Sequence, residues 1–165
     1  GIGPALEAWD VLRVLQRSKS APPDLRDRAL SLAGAALELA GRAKPDTGAA
    51  MAQDALDNGS AWSKFQAICA AQGGLREPPR AAQTAPVAAI QSGVLKAIDN
   101  RKLSRLAKLA GAPERPAAGL TVHKRLGEQI TIGEPLLTIH AEASGEIDYA
   151  MSYAHANAGL FTIEG

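Results

Sequence analysis

The first three residues form the most suggestive chemical pattern in this chain. Gly1-Ile2-Gly3 precedes a helical pattern that begins at Pro4. Backbone N–H groups at the start of a helix can bind an anion such as phosphate. Glycines at such a turn also allow two backbone segments to pack closely. The pattern therefore leaves two interpretations open, an anion site and a close-packed turn between a strand and a helix.

The histidines and the single cysteine show no catalytic spacing. His123 lies in an alternating stretch and is expected on a polar strand face, whereas His140 is expected to make a structural hydrogen bond at a strand end. His155 falls on the last helix, and no two histidines have metal-ligand spacing on one helix. Cys69 is expected to be buried and inert. The glycine-rich nucleotide loops are also missing, so we predict no catalytic residue in this chain and no metal site.

The composition excludes several functional classes. The chain has 165 residues, of which 46% are hydrophobic and only 4% aromatic, and its formal net charge is +1. No dense basic block suggests a nucleic-acid partner, and no apolar run approaches the roughly 20 residues that span a bilayer. A single cysteine allows no internal disulfide, which fits a reducing compartment. We therefore expect neither a nucleic-acid nor a membrane partner.

Residues 1–74 predict a helical segment. Gly41 is expected to end the second of its helices, and Thr47 and Ser60 are expected to cap the third and fourth. Apolar residues recur at helical spacing in four stretches: Leu6, Trp9, Leu12 and Leu15; Leu25, Ala29, Leu32, Ala36 and Leu39; Met51, Ala52, Ala55 and Leu56; and Trp62, Phe65, Ile68 and Cys69.

The sequence predicts a linker over residues 75–85 and a small mixed domain over residues 86–165. Asp99 is expected to cap a helix over 101–110, and Ser144 is expected to cap a later one. Short strands are predicted at 87–90, 94–98, 120–124, 129–132, 136–140 and 160–163. Strands and helices without a repeating strand–helix–strand order predict the α+β class.

Three ordered stretches together resemble one enzyme family. They are Gly1-Ile2-Gly3-Pro4-Ala5-Leu6-Glu7-Ala8; Gly59-Ser60-Ala61-Trp62-Ser63-Lys64-Phe65; and a third set that runs from Gly93-Val94 through Gly111-Ala112-Pro113, Gly127-Glu128-Gln129-Ile130 and Gly133-Glu134-Pro135-Leu136 to Ile139-His140-Ala141. In this order they resemble the thymidine and pyrimidine-nucleoside phosphorylases. Pro4 and Pro113 favour the AMP phosphorylase-like branch, because the pyrimidine enzymes usually carry Asn and Gly there.

The resemblance implies a fold and an activity. The chain would be the C-terminal portion of such an enzyme, with a helical segment of the central α/β domain followed by a hammerhead or barrel-sandwich-like domain. The parent would use inorganic phosphate and no cofactor to cleave a nucleoside or nucleoside monophosphate. The resemblance places the substrate residues upstream, with Gly1 and Gly3 as substrate-binding residues at the edge of the site. It further implies a cytoplasmic homodimer formed through N-terminal helices, and a fragment that is inactive alone.

Two alternatives come from other classes. The stretch from Gly93 to Ile139 also resembles a biotinyl or lipoyl carrier domain, which needs a modified lysine at an exposed hairpin tip. Lys96 instead lies within a predicted strand, and the expected tip is occupied by the helix over 101–110. A non-catalytic interaction module is the other alternative.

Overall fold

The computed structural model describes all residues from 1 to 165 and contains two compact units. The helical unit comprises Trp9–Glu77, and the mixed unit comprises Gly1–Ala8 with Pro78–Gly165. Six helices and two small antiparallel sheets confirm the α+β class. In chain order the elements are α1 Pro4–Leu15, α2 Pro23–Leu39, α3 Gly48–Asp57, α4 Ser60–Ala71, β1 Gln83–Ala88, β2 Gly93–Ile98, α5 Asn100–Leu109, β3 Gly119–Val122, β4 Gln129–Ile130, β5 Pro135–Ala141, α6 Ser144–Ala156, a short 3-10 helix Ala158–Leu160, and β6 Phe161–Glu164.

In the helical unit, α2 and α3 pack through glycines. A Cβ on Gly34 would lie 2.5 Å from the backbone nitrogen of Ala49, and a Cβ on Gly48 would lie 2.2 Å from the carbonyl oxygen of Gly34. The Gly48 N–H donates to Oε1 of Glu38 at 2.8 Å. Thr47 makes no side-chain cap, because its hydroxyl donates to the carbonyl of Lys44. The prediction that Thr47 caps α3 is therefore wrong, and Glu38 takes that role from the neighbouring helix.

The apolar face predicted for α2 is not its packed face. Leu32 is 62% exposed and Leu39 is 91% exposed, whereas Gly34 is buried. The helix is apolar on more than one side, and the side with a glycine allows the closer approach of a second backbone. A groove of about 450 Å³ is lined by apolar residues of α2 together with residues of α1 and α3.

Arg17 organises the connection from α3 to α4. Its guanidinium donates to the carbonyl oxygen of Asp57 at 2.8 Å, where α3 ends. Gly59 has a φ of 85° and precedes α4, so Ser60 is the first helical residue rather than the predicted cap. The Ser60 hydroxyl donates backwards to the carbonyl of Ala55.

The mixed unit contains two three-stranded antiparallel sheets. One has the order β1-β5-β3 and the other has the order β4-β2-β6. Their facing residues form one core with α5 and α6, and its fully buried large side chains are Leu95, Leu106, Leu120, Ile130, Leu137 and Ile139.

Strand β1 begins at Gln83, four residues before the predicted strand. Val87 is its only buried residue, so the hydrophobic signal is weak. Pro86 also fits an edge strand, where one missing N–H donor is tolerated.

The predicted cap of α5 is correct, and the predicted cap of α6 is wrong. Asp99 caps α5 as predicted, since Oδ1 accepts from the N–H groups of Arg101 and Lys102. Helix α6 starts at Ser144 without a cap from that side chain. Instead the longer Glu146 side chain reaches back and accepts from the N–H of Ala143 at 3.1 Å.

Among the helices, none combines the length and the apolar character needed to cross a membrane.

Candidate functional site

The first three residues extend the β1-β5-β3 sheet beyond β3. The N–H of Ile2 donates to the carbonyl of Leu120 at 2.8 Å, and the N–H of Leu120 donates to the carbonyl of Ile2 at 2.8 Å. The bridge is antiparallel, so Gly3 lies opposite Gly119 and Gly1 lies opposite Thr121. The chain before α1 is therefore extended and paired like a strand, as expected for a turn from a strand into a helix.

The backbone N–H groups at this turn already have protein acceptors. The Gly3 N–H donates to Oε1 of Glu7 at 3.1 Å, and the Ala5 N–H donates to the carbonyl of Pro116 at 3.0 Å. A carboxylate thus occupies the place where an anion would meet the Gly3 N–H. This geometry favours the close-packing interpretation, while substrate binding by Gly1 and Gly3 stays a prediction.

Beside this segment, the sheet carries a polar face with two histidines. We call Thr121, His123, Thr138 and His140 the His–Thr face. Nε2 of His140 lies 2.9 Å from the Thr121 hydroxyl, and Nε2 of His123 lies 2.8 Å from the Thr138 hydroxyl. Thr121 and Thr138 are directly paired across the strands, so the two hydrogen bonds run diagonally across that pair.

The two histidines differ in their surroundings. His123 is exposed and His140 is half-buried. Burial lowers the pKa of His140, and the positive charge of His123 lowers it further. The structural hydrogen bond predicted for His140 is confirmed, and the neutral ring can donate or accept one. The prediction that His123 lies on a polar strand face is only partly correct, because β3 ends at Val122 and the exposed His123 follows it.

Three participants were missed from the sequence: Gly119, Thr121 and Thr138. A signal for the threonines was available, because Thr-x-His occurs at the end of β3, where His123 directly follows the strand, and again within β5. Residues two apart lie on the same strand face, so each motif puts a hydroxyl beside an imidazole. Gly119 gave no local signal, since its need for glycine comes from a segment more than a hundred residues away.

The remaining candidates lie elsewhere. Cys69 is half-buried on α4, so the prediction of a buried thiol is only partly correct. His155 lines a cavity of about 370 Å³ in the mixed unit, together with apolar residues that include Val87, Leu136 and Phe161. No group of three His, Cys, Asp or Glu side chains is arranged to hold a metal ion.

Most of the mixed unit matches a known enzyme domain. Residues 94–160 match the family model described as the pyrimidine nucleoside phosphorylase C-terminal domain. That range includes β2 to β5, α5 and α6, and therefore the whole His–Thr face. The mixed unit is thus of the phosphorylase C-terminal class.

Nearly the whole chain is similar to curated bacterial proteins that carry the name "Putative thymidine phosphorylase". The protein of Chelativorans sp. (strain BNC1) is 56% identical over 164 residues, which cover 99% of this chain and 32% of that protein. The protein of Parvibaculum lavamentivorans is 55% identical, with the same coverage. The protein of Sphingopyxis alaskensis is 58% identical over 156 residues, which cover 94% of this chain and 30% of that protein.

Both parts of the chain are included in these similarities, the helical segment as well as the mixed domain. The chain therefore belongs to the thymidine and pyrimidine-nucleoside phosphorylase family, as a C-terminal portion of it. It spans about a third of the length of the curated relatives it matches.

Proposed function

We propose that this chain is part of a nucleoside phosphorylase, a pentosyltransferase that cleaves an N-glycosidic bond with inorganic phosphate. A phosphate oxygen forms a bond to C1′ of the sugar as the bond from C1′ to the base nitrogen breaks. The base leaves with a proton, and the sugar leaves as its 1-phosphate. The observation that carries this proposal is an identity of 53–58%, over nearly the whole chain, to relatives that carry the name "Putative thymidine phosphorylase".

We also propose that the 165 residues alone do not catalyse this reaction. Phosphorolysis needs a phosphate held by cations and N–H donors, and a group that protonates or hydrogen-bonds the leaving base. In this chain the Gly3 N–H donates to the Glu7 carboxylate, which would repel phosphate. His140, which pairs with Gly119 across the strands, is hydrogen-bonded to Thr121. The phosphate-binding residues would then lie upstream of Gly1.

The substrate of the whole enzyme is either a pyrimidine nucleoside or a nucleoside monophosphate. Pro4 and Pro113 support the AMP phosphorylase-like branch, whose product from AMP would be ribose 1,5-bisphosphate. We further propose a cytoplasmic homodimer, formed through helices outside this chain, that needs no cofactor.

The carrier alternative has less support. Lys96 lies in β2 at an irregularity between Leu95 and Ala97, whereas a carrier needs its lysine at a hairpin tip. A mass spectrum of the natively purified protein that showed a biotinyl or lipoyl adduct would favour the carrier instead.

The test compares the full-length protein that contains this chain with the 165 residues alone. Each is incubated with phosphate and, separately, with thymidine, uridine, AMP, CMP and UMP, and free base is quantified by chromatography. We expect phosphate-dependent base release from the full-length protein only. Release from thymidine alone would place the enzyme in the pyrimidine branch, and release from AMP would place it in the other. Base release by the short chain would overturn the inactivity proposal, and none by the full-length protein would overturn the activity itself.

A further inference from the structure

The backbones of Gly3 and Gly119 approach each other more closely than any side chain would allow. We call this close approach of the two antiparallel segments the crossing. Gly3 has a φ of 131° and Gly119 has a φ of 151°. A Cβ on Gly119 would lie 2.0 Å from the carbonyl oxygen of Ile2, and a Cβ on Gly3 would lie 2.3 Å from the carbonyl oxygen of Ala118. Both contacts are with backbone atoms, which cannot rotate away as a flexible side chain can. Either substitution must therefore separate the two segments.

This crossing determines where the first residues of the chain lie. The reciprocal hydrogen bonds between Ile2 and Leu120 fix both the position and the antiparallel direction of the segment. A third bond, from the Ala5 N–H to the carbonyl of Pro116, fixes the first turn of α1. Three backbone hydrogen bonds within four residues leave little freedom for the polypeptide at Gly1.

The partner in this crossing is itself rigidly held. Leu120 is fully buried in the core of the mixed unit, and Gly119 pairs with His140 of β5. The sheet thus provides a fixed surface against which the Gly1–Gly3 segment is placed.

We propose that Gly119 is a positioning residue for the phosphorylase reaction. By admitting the backbone of Ile2 and Gly3, it lets the C-terminal sheet hold the Gly1–Gly3 edge of the substrate site in one place. This inference rests on the proposed function, and on Gly1 lying at the edge of that site. Gly119 acts through the segment and touches no substrate. Small displacements of a site wall can reduce a rate by up to about 100-fold, so the predicted effect is measurable.

The test uses Gly119→Ala and a matched control, Gly133→Ala, in the full-length protein. Gly133 also has a positive φ, 83°, but a Cβ there would meet no atom within 4 Å. Both variants therefore carry backbone strain, and only Gly119→Ala collides with the first segment. We expect kcat/KM for base release to fall at least tenfold in Gly119→Ala, with most of the change in KM for the nucleoside. We expect less than a twofold change in Gly133→Ala.

Amide hydrogen exchange in the 165-residue chain provides a readout that needs no substrate. In Gly119→Ala the amides of Ile2 and Ala5 should lose protection while those of β5 keep it. Gly3→Ala makes the same collision from outside the sheet, so it replaces Gly119→Ala should that variant not fold. Lost protection together with reduced kcat/KM supports the proposal.

The failures can be told apart. An active wild type with an equally active Gly119→Ala variant that has lost protection at Ile2 overturns the positioning role alone. Retained protection in Gly119→Ala also overturns it, because the crossing would then not depend on glycine. An inactive full-length wild type overturns the proposed function, and the positioning role with it.

Discussion

Gly34 of α2 and Gly48 of α3 meet backbone to backbone, with no room for a side chain on either. A Cβ on Gly48 would lie 2.2 Å from the carbonyl oxygen of Gly34, and Glu38, one turn further along α2, accepts the Gly48 N–H at 2.8 Å. The two contacts together determine how α3 starts. Glycine usually weakens a helix interior, so its place in α2 is explained by this close approach.

Gly34→Ala should destabilise the helical unit by about 1–3 kcal/mol, the usual cost of overpacking a tight contact. The new methyl would lie 2.5 Å from the backbone nitrogen of Ala49, which can move only if α3 shifts. Both tryptophans, Trp9 and Trp62, belong to the helical unit. Urea unfolding followed by tryptophan fluorescence therefore measures the free energy of that unit.

Gly145→Ala is the matched control for Gly34→Ala. Gly145 lies in the first turn of α6 and a Cβ there would meet nothing within 4 Å. Because Gly145 belongs to the mixed unit, the free energy that the two tryptophans report for the helical unit should keep its wild-type value in this variant. A neutral Gly34→Ala variant would contradict the close α2–α3 contact.

Asp99→Ala should destabilise α5 by about 1 kcal/mol. The substitution removes the acceptor for the N–H groups of Arg101 and Lys102, at 2.9 and 3.0 Å, and loss of such a cap typically costs about 0.5–2 kcal/mol. Asp99→Asn keeps an acceptor and should retain most of the stability. Amide exchange at Arg101, Lys102 and Leu103 reports the loss locally, and equal exchange in the two variants would count against the cap.

His140 should make the mixed unit less stable in mild acid. Its pKa in the folded chain is lowered from 6.5 by burial and by His123, so the unfolded chain binds the proton more readily. The stability contributed by the neutral ring is complete above pH 6.5 and is lost as the pH falls through the folded pKa. The free energy of unfolding should therefore drop between pH 7.5 and 5.5, by less in His140→Gln than in the wild type.

The control for this pH effect is His155→Gln. His155 is exposed on α6, outside the His–Thr face, so this variant makes the same imidazole-to-amide change away from Thr121. Denaturant unfolding at the two pH values, followed by amide exchange of β5, checks both variants. An unaltered dependence in His140→Gln would rule out this origin.

Glu134 should contribute a second acid-sensitive interaction. A hydrogen bond from Lys124, at 2.6 Å, and another from the Thr131 N–H lower the pKa of this carboxyl from 4.5. A lowered folded pKa gives stability that is present above 4.5 and is lost as the pH falls through the folded value. Glu134→Gln and Lys124→Met should each weaken this loss in unfolding curves at pH 5.5 and 3.5. Glu128→Gln serves as the control in the same region, and a wild-type response in Glu134→Gln would refute the assignment.

Local features were predictable where one segment determines them. The helices and most strands follow from apolar spacing, and the Asp99 cap follows from a carboxylate placed before a helix. The packed face of α2 was not predictable, because two sides of it are apolar and the choice between them depends on Gly48 of another helix. The cap of α3 failed for the same reason, since Glu38 supplies it from α2.

In the candidate site, too, local features were predictable from the sequence and contacts between distant segments were not. Gly1-Ile2-Gly3 was recognised as a strand-to-helix turn, and the roles of its glycines were left open. The acceptor of the Gly3 N–H, Glu7, is local. The acceptors of the Ile2 and Ala5 N–H groups could not be known, because Leu120 and Pro116 lie more than a hundred residues further along the chain. The two Thr-x-His motifs, one at the end of β3 and one in β5, could have been paired from the sequence, but only with a correct strand register.

The bridge between Ile2 and Leu120 also covers the edge of β3, where a strand of another copy of the chain could otherwise pair. Strand β3 is the last strand of its sheet, and Leu120 would present an unpaired N–H and carbonyl without the Ile2 backbone. Open strand edges recruit strands from other molecules and start aggregation. A protease that clipped the chain after Gly3 would therefore produce a species prone to edge-to-edge self-association, even though all the fully buried core side chains would remain.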